Sequence, residues 1–236
     1  MQQAREWIQA AQSVAVLTGA GISAESGVPT FRGENGLWRT YKPEELATPE
    51  AFARDPRLVW EWYNWRRELI AKARPNAGHK ALVDFEIRKR NFTLITQNVD
   101  GLHELAGSGK TLKLHGDIWR LRCTDCGSSW PDRRAPLPKL PPHCACGGLA
   151  RPGVVWFGEP LPDGMMLEAE HAVQSAEVLL VVGTSAVVHP AAGLIPLAKS
   201  QAARVIEVNP EVTAYSGLAE SSLRGPAGEI LPALLA

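Results

Sequence analysis

Thr18-Gly19-Ala20-Gly21-Ile22-Ser23-Ala24-Glu25-Ser26-Gly27 directly follows the short apolar run Val14-Ala15-Val16-Leu17, and the reading of this stretch decides the fold. A buried strand that empties into glycines commonly opens an α/β domain that carries a phosphate-bearing ligand. Glycine lets the backbone approach such a ligand closely and adopt positive φ. As a dinucleotide fingerprint the spacing is incomplete. A third glycine belongs three residues after Gly21, yet the next is Gly27, and no acidic residue closing a second strand is recognisable about twenty residues on. Taken alone, the loop fits a nicotinamide-linked dehydrogenase or a tight turn with nothing bound.

Working outward, residues 92–96, 178–182 and 205–208 are also short, apolar and β-branched, and each run ends in polar or glycine residues. Stretches with helical spacing separate them. That alternation predicts an α/β fold, a Rossmann-like parallel sheet with helices on both faces. Two stretches break it. Residues from about 43 to 74 are helical and rich in Trp, and residues from about 122 to 151 hold every cysteine and many prolines. The expected division is therefore a Rossmann-like domain over 1–42, 76–121 and 152–236, an inserted helical module over 43–75 and an inserted cysteine module over 122–151.

A chain of 236 residues, 45% hydrophobic, is long enough for one large domain with inserts. Lys plus Arg number 25 and Asp plus Glu also 25, so no basic surplus points to nucleic acid or an anionic membrane. Arg133, Arg134 and Lys139 make at most a small patch for a docking module. The N-terminal residues lack a signal peptide's layout, and the longest apolar stretch, 178–188, is broken by Gly183-Thr184-Ser185 and too short to span a bilayer. The chain is expected to be soluble and cytoplasmic.

Cys123-x-x-Cys126 is followed, after seventeen residues, by Cys144-x-Cys146. Two cysteine pairs at this separation match a four-thiolate zinc site, each pair on a tight turn. With four protein ligands such an ion has no open position, so it is structural, holding a loop-rich insert with too few apolar residues to fold alone. The second pair is one residue shorter than the commoner spacing. The alternative is a set of buried free thiols.

Several strand ends offer polar side chains where ligands of open α/β sheets sit. Gln97-Asn98-Val99-Asp100 follows the second strand, His115-Gly116 follows an alternating run, Gly183-Thr184-Ser185 ends a third strand and Asn209 a fourth. Phe31 and Arg32 add a ring and a planar cation. A satisfied hydrogen-bond cluster and a packed histidine are the bland readings of the same residues.

In order along the chain, Gly19-Ala20-Gly21-Ile22-Ser23, Pro29-Thr30-Phe31-Arg32-Gly33, Thr96-Gln97-Asn98-Val99-Asp100, His115-Gly116, the cysteine pairs, Val155-Trp156-Phe157-Gly158-Glu159, Gly183-Thr184-Ser185 and Val208-Asn209 resemble the sirtuins, NAD-dependent protein-lysine deacylases. The resemblance implies that NAD is held so that its nicotinamide can leave. The implied contacts are Gly19, Ala20, Gly21, Ser23, Glu25, Phe31, Arg32, Trp38, Gln97, Asn98, Asp100, Gly183, Thr184, Ser185, Asn209 and Ala227. It further implies that the acyl oxygen of a modified lysine attacks the ribose, that His115 is a general base on a ribose hydroxyl and that Asn98 orients the ribose or a water. The products would be nicotinamide, free lysine and O-acyl-ADP-ribose. The segment 155–159, with Phe157, Gly158 and Glu159, and Val154 before it, would hold the acylated peptide against a strand after Ser185 by main-chain hydrogen bonds. Protein ADP-ribosyl transfer would use the same cofactor cleavage.

The segment 58–70 places Leu58, Trp62, Trp65 and Leu69 at i, i+4, i+7 and i+11, an apolar stripe expected to pack the helix. Tyr63 and Arg66 sit on its flank, about 60° apart, close enough to meet one ligand group. By themselves they fit a surface pair. Within the resemblance, Tyr-x-x-Arg is similar to the subclass III enzymes, where it implies binding of the distal carboxylate of succinyl-, malonyl- or glutaryl-lysine. Ala47 matches the small residue that leaves that acyl channel wide. A plain deacetylase is the alternative.

Overall fold

The computed structural model describes residues 1–32 and 36–236, without the side chain of Trp38. α1 (Gln2–Ala10) leads into β1 (Ser13–Thr18), whose end turns into a 3₁₀ segment over Ala20–Ser26. Then come α2 (Pro43–Leu46), α3 (Pro49–Arg54) and α4 (Pro56–Lys72). Each begins on a proline, whose missing N–H costs nothing in a first helical turn. The Thr48 hydroxyl accepts from the Ala51 N–H at 3.1 Å, and the Asp55 carboxylate accepts from the Leu58 N–H at 2.9 Å, capping α3 and α4. α5 (Ala77–Arg88), β2 (Asn91–Thr96), α6 (Leu102–Ala106) and β3 (Thr111–Lys113) return the chain to the main sheet. A three-stranded excursion follows, β4 (Gly116–Cys123), β5 (Ser129–Pro131) and β6 (Ala150–Val154). α7 (Met165–Gln174), β7 (Val178–Val182), α8 (Leu194–Ser200), β8 (Arg204–Val208), β9 (Ser221–Leu223) and α9 (Ala227–Leu234) complete it.

The main sheet runs β3-β2-β1-β7-β8-β9, every pair parallel. Its strands alternate between two cores. Val14 and Val16 pack with Leu82, Leu94 and Leu231 on one face, while Ala15 and Leu17 pack with Leu179, Val173 and Leu194 on the other. Burial on both faces is why these strands read as continuous apolar runs. From β1 the chain goes first to β2 on one side and later to β7 on the other. A crevice therefore opens at the carboxyl ends of β1 and β7. β9 has the sequence Ser-Ser-Leu, which carries no apolar signal to read.

The helical and cysteine segments share a third core, in which Val59, Trp60, Tyr63 and Ile70 of α4 meet Trp119, Leu121, Ala150 and Trp156. The Trp60 indole N–H donates to the Ala150 carbonyl at 2.7 Å, joining α4 to β6.

The expected stripe on α4 is not the buried one. Leu58 and Trp65 are 45% and 37% exposed, Leu69 is half-buried, and of the four only Trp62 faces inward. The buried face instead holds Asn64, Arg66 and Arg67 beside Val59, Trp60, Tyr63 and Ile70. Asn64 accepts from the Leu137 N–H at 2.8 Å, and Arg67 donates to the carbonyls of Ile118 at 2.7 Å and Arg134 at 3.0 Å, with Asp132 alongside. Polar side chains go inside where another element supplies matching groups, and hydrophobic periodicity cannot register those groups. No helix among the described residues is long and apolar enough to cross a membrane.

Candidate active site

One cleft of about 1080 Å³ runs across the carboxyl ends of β1, β2, β7 and β8 and is closed on the far side by the third core. Gly19, Ala20, Gly21, Glu25, Phe31 and Arg32 line it from the first loop. The two leading glycines are required by a neighbouring loop. A Cβ on Gly21 would stand 2.7 Å from Gly183 Cα, and one on Gly19 would stand 2.7 Å from Thr184 Cβ. The Gly21 N–H donates to the Gly183 carbonyl at 2.7 Å, and Gly183 itself has φ +58°. Glycines thus let the loops after β1 and β7 interlock, which forms the cleft floor.

Gln97, Asn98, Gly183, Thr184, Ser185 and Asn209 also line the cleft, and Thr184 ties two of them together. Gln97 donates to the Thr184 hydroxyl at 3.0 Å, and Asn209 donates to the Thr184 carbonyl at 2.7 Å. Ser23 and Asp100 lie beneath this layer rather than on its wall. The Asn98 amide donates to Ser23 Oγ at 3.2 Å, Ser23 donates to Asp100 Oδ2 at 2.8 Å, and Asp100 Oδ1 accepts from the Leu102 N–H at 2.8 Å. Burial pushes the Asp100 pKa up, opposed by these hydrogen bonds. Asn98 is therefore oriented from behind. The Glu25 carboxylate accepts from the Gly228 N–H at 2.6 Å, fastening the loop to α9. Ala227 starts α9 and is buried, and its neighbour Pro226 lines the cleft. The expectation for the Trp38 side chain lies outside the described residues.

His115 occupies the turn between β3 and β4, where the chain leaves the parallel sheet. Gly116 makes that turn with φ +80°, and a Cβ there would lie 2.3 Å from the Gly153 carbonyl oxygen. His115 Nδ1 stands 3.0 Å from the Gln97 carbonyl. A carbonyl only accepts, so Nδ1 carries the hydrogen and Nε2 keeps its lone pair. Burial lowers the pKa below the ordinary 6.5, against the Gln97 hydrogen bond that raises it. At neutral pH the ring is uncharged and able to take a proton.

The opposite wall brings Ala47, Tyr63 and Arg66 together with Val154, Phe157, Gly158 and Glu159. The Phe157 N–H donates to the Ala47 carbonyl at 2.9 Å, stitching residues 155–159 to the end of α2, whereas no strand follows Ser185, where residues 186–190 are irregular turns. Tyr63 and Arg66 are 3% and 6% exposed, so they are not a surface pair. The Arg66 guanidinium carbon lies 4.6 Å from the Phe31 ring centroid and 4.9 Å from that of Trp62. No carboxylate among the described residues forms an ion pair with it, the carboxylate acting on it through space being the buried Asp100. Burial lowers its pKa, yet a guanidinium stays charged at any physiological pH. The Glu159 carboxylate is turned inward, onto Arg151 Nη2 at 2.8 Å and the Trp156 N–H at 2.8 Å.

The sulfurs of Cys123, Cys126, Cys144 and Cys146 all lie within 4.8 Å of one another, and no disulfide joins them. Cys123 and Cys146 are 3.5 Å apart, and Cys126 and Cys144 are 3.8 Å apart. Tetrahedral zinc with bonds of about 2.3 Å needs sulfurs roughly 3.8 Å apart, so the donor set and spacing fit one ion despite the short second pair.

Composition and spacing gave no hint of Arg67, Arg151, His79 or His103. His79 and His103 are fully enclosed under the cleft with ring centroids 4.9 Å apart, bonded to Ser23 and Thr18. Burial depresses their pKa values to about 4 and about 3. The one faint signal is Asn76, whose side chain caps α5 while His79 reaches back to the Asn76 N–H.

Residues 19–190 match the Sir2 family, and the chain belongs to that family. It is 59% identical over 209 residues, 88% of this chain and 87% of the relative, to an NAD-dependent protein deacylase of Aquifex aeolicus (strain VF5). A Sir2 homologue solved in complex with NAD superposes with a TM-score of 0.94 at 48% identity, covering 100% of this chain and 92% of the other. A Sir2 complex with a p53 peptide and NAD+ gives 0.91 at 28% identity, covering 100% and 97%.

Proposed function

We propose that this chain is an NAD-dependent protein-lysine deacylase that favours acyl groups ending in a carboxylate, succinyl and malonyl above acetyl. The observation that carries the preference is Arg66, a buried cation with aromatic neighbours and no ion pair among the described residues, the buried Asp100 acting on it only through space. An unpaired buried charge is costly, and a ligand carboxylate relieves it. Acetyl-lysine leaves it unrelieved. Ala47 keeps the channel between Tyr63 and Phe157 wide.

The residues of the cleft fit NAD: small or hydrogen-bonding groups at four strand ends and a wall long enough for both halves of a dinucleotide. When bound, NAD supplies a sugar carbon that becomes electrophilic as nicotinamide leaves. His115, neutral and with Nε2 unprotonated, takes a proton from a sugar hydroxyl. Asn98 orients the sugar or a water, itself fixed by Ser23. Residues 154–158 hold the acylated polypeptide through main-chain groups, in keeping with the p53 peptide held by a Sir2 relative.

In this division of labour, residues 1–42, 76–121 and 152–236 serve the cofactor, 43–75 read the acyl group and 122–151, with zinc, brace that reader. Nucleic acid and membrane are not expected partners. Four thiols set as ligands rather than disulfides suit the reducing cytoplasm.

The test is mass spectrometry of succinyl-, malonyl-, glutaryl- and acetyl-lysine peptides incubated with NAD. Arg66→Met should lower the ratio of kcat/KM for succinyl over acetyl about 10- to 100-fold, the range for a hydrogen bond to a charged group. Equal loss for both acyl groups would remove the carboxylate role.

A further inference from the structure

Trp156 makes one contact that bears directly on the acyl reader. Its indole N–H donates to the Tyr63 hydroxyl at 3.0 Å, with both side chains buried. An indole nitrogen can only donate, so the Tyr63 oxygen is the acceptor. Among the described residues this is the only hydrogen bond that the Tyr63 hydroxyl makes. Its own proton is therefore donated to no group among the described residues. Because Trp156 occupies one lone pair, that proton is turned away from the indole, and Tyr63 lines the cleft.

The indole is itself held from several sides. The Arg151 guanidinium carbon lies 3.4 Å from the Trp156 ring centroid, and the Phe52 ring packs at 5.2 Å. Arg151 pairs with Glu159 and donates to the Val154 carbonyl at 2.9 Å, while the Trp156 backbone N–H donates to Glu159 Oε2 at 2.8 Å. Arg151 is buried, as is the ring that it covers. The indole cannot swing away without breaking this bracket, so the donor stays aimed at Tyr63.

We infer that Trp156 is a positioning residue for acyl selectivity, fixing the Tyr63 hydroxyl as a donor toward the cleft so that it and Arg66 together present donors to an acidic acyl group. The inference rests on the reading of Tyr63 and Arg66 as the carboxylate site and adds a residue of the cleft wall whose side chain acts on the acyl group through Tyr63. Burial also raises the Tyr63 pKa, which keeps the proton on the oxygen at neutral pH.

Trp156→Phe keeps a ring in place and removes only the donor. In that variant the ratio of kcat/KM for succinyl-lysine over acetyl-lysine peptide should fall about ten-fold, chiefly through KM for the succinyl peptide. Acting through Tyr63, the change should add nothing further in a Tyr63→Phe background. A second readout needs no Trp156 variant. In protein labelled with ¹⁵N-tryptophan, the indole N–H resonance that moves on Tyr63→Phe should shift downfield with succinyl peptide and not with acetyl peptide. The carboxylate draws on the Tyr63 proton and makes its oxygen a better acceptor. An unchanged ratio in Trp156→Phe, a further loss on top of Tyr63→Phe, or an indole signal indifferent to the acyl group would each overturn the role of Trp156. If instead wild type shows no preference for succinyl over acetyl and Arg66→Met leaves the ratio unmoved, the carboxylate site itself falls, and the inference with it.

Discussion

The parallel-sheet lobe and the lobe built from α2–α4 with β4–β6 solve the problem of a buried interior in different ways. The first is filled by aliphatic strands whose two faces meet helices, Val14 and Val16 on one side, Ala15 and Leu17 on the other. The second mixes Trp60, Trp119 and Trp156 with three buried arginines, Arg66, Arg67 and Arg151. Arg67 and Arg151 are matched by carbonyls and carboxylates of the same lobe, and Arg66 is not. A matched cation binds elements together. An unmatched one facing a cleft is a place for a ligand's charge.

Chemistry and selectivity should therefore separate between the lobes. His115→Ala should reduce deacylation of every acyl peptide by about 10²- to 10⁴-fold, the usual contribution of a positioned base. That is the largest effect expected, read as nicotinamide release against unchanged circular dichroism. A variant that spared one acyl group would break the comparison. Because the His115 pKa is lowered, activity should persist below pH 6.5 and fade only as the ring protonates at more acid pH.

The two kinds of interior should be equally sensitive to deletion. Leu94→Ala in the sheet should cost about 2–5 kcal/mol of stability. Arg67→Met removes the donor to Ile118 and Arg134 and should cost about 3 kcal/mol, leaving those carbonyls without it while Asp132 keeps only Arg134. Denaturant titration of both variants measures this, and an Arg67→Met protein as stable as wild type would show that the arginine does not hold its lobe.

The smallest effect concerns the histidines under the cleft. His79 and His103 have folded-state pKa values of about 4 and about 3, below the 6.5 of an unfolded chain. The unfolded chain thus binds more protons across this window, and the fold's advantage is complete above pH 6.5 and declines as pH falls toward 3. Thermal denaturation should show a lower Tm at pH 5 than at pH 7.5. Replacing His103 by Gln, itself able to bond Thr18, should flatten that dependence.

Much of the sheet lobe is legible in the amino-acid order. A strand buried on both faces must be apolar along its length, so 14–17, 92–96, 178–182 and 205–208 stand out, and the polar residues at their ends fall into one cleft. β9 is silent because an edge strand of Ser-Ser-Leu needs no apolar run. On α4 the pattern misleads, since Leu58 and Trp65 look like core and are exposed, while Arg67 looks like surface and is enclosed.

The sequence by itself determined the parallel sheet, the order of its polar strand ends and the four-thiol cluster, because each depends on residue type and spacing along a short span. Only the tertiary structure decided which face of α4 turns inward, that Tyr63 accepts from Trp156, that His115 is buried against the Gln97 carbonyl and that Arg66 has no ion-pair partner among the described residues. Those facts depend on groups brought from distant parts of the chain, and a side chain's charge or direction inside a protein is set by what stands opposite it.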